Sequence, residues 1–128
     1  MLRHALRPID PDGPLRFALD DTPTQRYGPH VQGAGVQHNP TPGPTDQRFL
    51  YGHVWVPLAW VVAPPLWGAI GLPVRALPYV REKDLPHLPE RHRWTFGTKL
   101  ALAAALVGGA AAWLRFLGRA VRVVADGF

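Results

Sequence analysis

The chain contains no cysteine, so disulfides, thiolate zinc sites and cysteine nucleophiles are excluded outright. It also lacks a long uninterrupted apolar run. The cleanest one, Leu100 to Leu114, is bracketed by Lys99 and Arg115 and falls short of the ~20 residues a helical membrane span needs. The stretch from Val54 to Val74 is longer, but Pro57, Pro64, Pro65 and Pro73 break it. The opening residues, Met1 to Arg7, are too short and too polar for the apolar core of a signal peptide. Six histidines are present, yet no pair has the close spacing of a zinc motif. No helix-turn-helix or finger signature is found either. Acidic residues are scarce, nine against fourteen lysines and arginines, for a net charge of +5. That excess favours a polyanionic partner, of which nucleic acid is the commonest.

Set against these absences is a 47% apolar content over 128 residues, enough for one domain with a real core. Fifteen prolines and thirteen glycines limit the number of long regular elements. Residues 1–14, with Pro8, Pro11, Gly13 and Pro14, read as an irregular lead-in to a domain over 15–128. Leu15 to Leu19 is a short apolar strand ending at Asp20-Asp21, with Pro23 and Thr24 closing it. Gln25 to Gln47 is a long polar excursion that includes a short strand candidate at Gly33–His38. Phe49 to Val62 and Leu66 to Val80 are rich in aromatic and β-branched residues and predict a hairpin. Arg81 to Arg93 is charged and exposed in character. Trp94 to Gly118 predicts a helix, with Gly108-Gly109 in its middle and Gly118 as its stop. Arg119 to Asp126 predicts the last strand.

The order strand–strand–strand–helix–strand, with a long loop after the first strand, implies an α/β fold. A right-handed helical crossover would set the last strand parallel to the first. Both strands end on carboxylates, Asp20-Asp21 and Asp126, which would then meet at one edge of the sheet. Carboxylates so gathered are suitable ligands for a pair of magnesium ions.

Four segments carry a resemblance: Ala18-Leu-Asp-Asp-Thr-Pro-Thr-Gln-Arg-Tyr-Gly-Pro29, His38-Asn-Pro-Thr-Pro-Gly-Pro44, Phe49-Leu-Tyr-Gly-His-Val-Trp-Val56 and Pro65-Leu-Trp-Gly-Ala-Ile-Gly-Leu-Pro73. In this order they resemble DDE transposases of bacterial insertion sequences, over nearly the whole chain from Leu15. The resemblance implies an incomplete RNase H-like fold and a Mg²⁺-dependent (or Mn²⁺-dependent) endonuclease that cuts and rejoins DNA at insertion-sequence ends. Asp20 or Asp21 would be the first metal ligand and Asp126, in its Val-Val-Ala-Asp-Gly setting, the second. The family's third residue, a glutamate on a later helix, has no counterpart here. The chain is therefore expected to be a truncated copy, inactive alone, in a cytoplasmic, nucleoid-associated location. Its expected partners are transposon-end and target DNA and full-length transposase, with no membrane. Pro57, Pro78 and the carboxylate-free stretch Leu100–Val107 depart from the family pattern.

Plainer readings stand beside these. Asp20-Asp21 is also a turn or cap pair, and Asp126-Gly127 a common turn. The arginines, among them Arg16, Arg26, Arg93 and Arg122, are scattered, and a solvated surface explains each as well as a phosphate does. The five tryptophans are expected in the core, and His53 as a satisfied sheet residue. The competing classes are a small membrane-associated protein and a non-catalytic, DNA-binding regulatory remnant.

Overall fold

The computed structural model describes residues 13–39 and 47–126. The lead-in therefore lies mostly outside the described residues, as do Pro40 to Pro44 of the proline-rich motif and Gly127. The described residues form an α/β structure with one mixed six-stranded sheet. Its strands are β1 (Leu15–Leu19), β2 (Thr22–Gln25), β3 (Gly35–His38), β4 (Phe49–Val62), β5 (Ile70–Tyr79) and β6 (Val121–Ala125). The helix α1 (Lys99–Leu114) crosses from β5 to β6.

Strand β4 organises the sheet because its fourteen residues are long enough to pair on both edges. One edge carries β1 and then β2; the other carries β5 and then β3. Strand β6 adds to the outer side of β1 in parallel, from Leu15 opposite Val121 to Leu19 opposite Ala125. The expected parallel return of the last strand to the first is thus present. Two expectations are corrected. Pro23 and Thr24 do not close the first strand; they belong to β2, which continues it. The predicted hairpin partner starts at Ile70 rather than Leu66, because Pro64 to Gly68 make a turn in which the amides of Trp67 and Gly68 both donate to the Pro64 carbonyl.

Apart from Pro57, the prolines in these strands obey one rule. The Arg26 amide donates to the Tyr51 carbonyl (2.9 Å), so the odd-numbered residues of β4 aim their backbone at the β1–β2 edge. Pro23 and Pro78 lie opposite Val54 and Trp55, in non-hydrogen-bonded positions, so their missing N–H groups face away from β4. Pro57 does not obey it. This residue sits inside the central strand with its nitrogen toward β1–β2, where a ladder amide is required. The register carries through unchanged from Leu19 opposite Leu58 to Thr22 opposite Trp55, placing Asp20 opposite Pro57. Pairing lapses there, at Asp20-Asp21, because Pro57 has no proton to give.

The core lies on one face of the sheet. Leu15, Phe17 and Leu19 of β1 and Val56 and Leu58 of β4 pack against Ala103, Leu106, Ala110 and Leu114 of α1. Those four helical positions are spaced three or four apart and define its inner stripe. The helix is shorter than predicted: the Thr98 hydroxyl accepts from the Ala101 amide (3.1 Å) and fixes the start there. A tight turn over Arg115–Leu117 then ends at Gly118, whose φ of +64° is the left-handed conformation expected of a helix stop. The tryptophans depart from expectation. Trp60 stacks on Phe17 (6.4 Å between rings), but Trp67, Trp94 and Trp113 are exposed and Trp55 lies on the face away from α1.

Candidate metal-binding edge

Strands β1 and β6 run side by side in the same direction, so their C-terminal ends share one edge. Leu19 pairs with Ala125, and the next positions in that register are Asp20 and Asp126. Adjacent strands lie ~4.8 Å apart, a spacing across which two carboxylates can share a hard cation. Both residues are exposed.

Asp21 is disposed differently. It lies opposite Val56 in register and faces α1, where its Oδ2 accepts from the ammonium of Lys99. Lys99 also lies over the Tyr79 ring, 5.6 Å from its centroid. The Asp21 amide in turn donates to Asp20 Oδ1 (2.8 Å), which holds the first carboxylate against the chain in the pairing gap left by Pro57. The two aspartates thus differ: Asp20 follows the last paired residue of β1 on the edge where β6 ends, whereas Asp21 is neutralised by Lys99.

The donor set fits a hard divalent ion in chemistry, being all carboxylate oxygen. Among the described residues, no group of three or more His, Cys, Asp or Glu is gathered closely enough to hold a metal.

The same face of the sheet carries basic groups. Arg16 and Arg122 are register partners on β1 and β6, and both are exposed. Like charges set directly opposite one another are unfavourable unless an anion lies between them. Further along, the Arg26 Nε–H donates to His53 Nδ1 (3.2 Å) and His53 Nε2 donates to the Gln32 carbonyl (2.8 Å). His53 is thus a satisfied sheet residue, as expected. These arginines read as scattered in sequence because two adjacent strands and the residue after β2 supply them. Comparison with family models, with curated proteins and with solved structures found no match for the chain.

Proposed function

We propose that the chain is part of the catalytic domain of a DDE-type transposase, carrying the first two carboxylate positions of an RNase H-like, Mg²⁺-dependent nuclease. The observation that supports this best is the parallel register of β1 and β6, whose last pair, Leu19 with Ala125, immediately precedes Asp20 and Asp126. Asp126 and the Asp20-Asp21 pair would hold the metal, and Mn²⁺ would substitute for Mg²⁺. A bound divalent ion would activate an attacking hydroxyl and stabilise the oxygen leaving a DNA phosphodiester.

The chain's own residues position and discriminate. Asp20 and Asp126 supply negative charge at one point of an otherwise basic face. Arg16 and Arg122 bind the flanking phosphates without reading sequence. Lys99 neutralises Asp21 through its ammonium. With only two carboxylate positions meeting at this edge among the described residues, the 128-residue chain alone binds the metal weakly and leaves DNA uncut.

Manganese binding followed by electron paramagnetic resonance tests the reading. Asp126→Asn and an Asp20→Asn, Asp21→Asn double variant should each weaken Mn²⁺ binding at least tenfold. Equal binding by all three proteins overturns the metal site and leaves the DNA-binding remnant as the better reading. Nicking of plasmid DNA by the chain with Mg²⁺, abolished in Asp126→Asn, would overturn its inactivity.

A second reading, a membrane-associated protein, is favoured by one observation. Lys99–Leu117 is apolar and long enough to cross a membrane, with only 22% of it buried. Leu100, Trp113 and Phe116 point outward from it. Flotation of the protein with lipid vesicles, lost in Trp113→Asp, would support that reading over the first.

A further inference from the structure

On the sheet face away from α1, a cavity of about 250 Å³ opens beside Trp55. Its walls include His53, Trp55, His92 and Trp94, with Pro78 and Val80 behind them. Four aromatic rings around so small a volume suit one planar ring system rather than a drug-sized ligand. We propose that this slot holds a single unpaired DNA base, stacked between Trp55 and Trp94, next to the phosphodiester presented to the carboxylate edge.

Position supports that occupant over another flat molecule. Trp55 lies opposite Thr22, and Pro57 lies opposite Asp20, so slot and carboxylate are two residues apart along β4. That separation is roughly 7 Å, about the spacing of neighbouring nucleotides in an extended strand. Charge supports it too. Arg26 is exposed beside His53, and Arg93 is exposed beside Trp94, so the rim is basic where a sugar-phosphate backbone would pass.

The slot is also built rather than incidental. His53 is fixed through both ring nitrogens, one accepting from Arg26 and the other donating to the Gln32 carbonyl. Arg93 adopts a φ of +47°, the one non-glycine residue with positive φ among those described. That left-handed step turns the chain at Trp94 and is the kind of local strain that accumulates at binding sites. A second cavity, of about 340 Å³, also has Trp94 in its lining. Stacking on such rings is tolerant of base identity, because every base has a π-face.

This inference rests on the nuclease reading for its substrate but has its own readout. A single-stranded oligonucleotide carrying 2-aminopurine should lose fluorescence on binding the wild-type protein, as stacked 2-aminopurine does. Trp94→Ala should abolish that quenching and weaken single-strand binding roughly tenfold or more. Its affinity for blunt duplex of the same sequence should be unchanged, and Trp94→Phe should restore the quenching. Trp94 is exposed, so its replacement leaves the core intact; Trp55→Ala is the second variant. No quenching by the wild-type protein, or equal quenching by Trp94→Ala, overturns the slot. Loss of Mn²⁺ binding in Asp126→Asn is measured separately. Quenching without a metal site leaves the slot standing and removes the nuclease, and the reverse result does the opposite.

Discussion

Lys99, the first residue of α1, holds Asp21 at the gap between β1 and β2, joining segments far apart in sequence. Each side chain is less than a third exposed, so the pair is shielded better than an ordinary surface bridge. A double-mutant cycle of Lys99→Met with Asp21→Asn, read by urea denaturation, should give a coupling of about 1 kcal/mol. Additive effects would show that the pair holds nothing together.

Removing Lys99 should also act on the metal. Its ammonium repels any cation near Asp21, so Lys99→Met should tighten Mn²⁺ binding several-fold at low salt. Weaker binding in that variant would mean that Lys99 helps shape the site rather than competing for it.

Phe17 is 1% exposed and touches both the sheet and the helix side of the core. Phe17→Ala should cost about 3–5 kcal/mol. In a structure with one helix over one sheet face, that is enough for circular dichroism to report an unfolded chain at room temperature.

At Gly52 the β2 backbone leaves no room for a side chain on β4. A Cβ there would lie 2.1 Å from the Thr24 carbonyl oxygen, and backbone cannot yield to it as a side chain would. Gly52→Ala should cost about 3 kcal/mol and detach β2 before the rest of the sheet. Hydrogen exchange should show the Arg26 amide losing protection while the β1–β4 amides keep theirs.

Gly108 and Gly109 offer the opposite case. Both lie in the middle of α1 with open space where a Cβ would go. Alanine at either position should raise stability by about 1 kcal/mol, measured as a shift in denaturation midpoint. Unchanged or lower midpoints would mean the outer helix face is covered in solution.

The elements that reach the core were legible in sequence because each buries an apolar pattern of its own. Leu15 to Leu19, Phe49 to Val62 and the run Leu100 to Leu114 all do so, but which face of the helix is buried was not legible because that run is apolar all round. Strand β2 was not legible, since Thr22-Pro-Thr-Gln25 has no strand pattern and pairs only because β4 extends past β1. Tryptophan misled for a related reason. Hydrophobicity says that Trp55 and Trp94 avoid water, but the strand's alternation and the turn at Arg93 decide which face they occupy. The basic face was invisible for the same cause, its arginines being neighbours only across strands.

The sheet's connectivity sets an order of assembly. Strands β4 and β5 form a local hairpin that closes early, and β1 and β2 can join it while the rest of the chain is still being made. Strand β6 reaches β1 only after α1 has docked, across nearly the whole length of the chain. Asp126 arrives with it. The edge at which β1 and β6 end side by side is therefore the last part of the sheet to be completed.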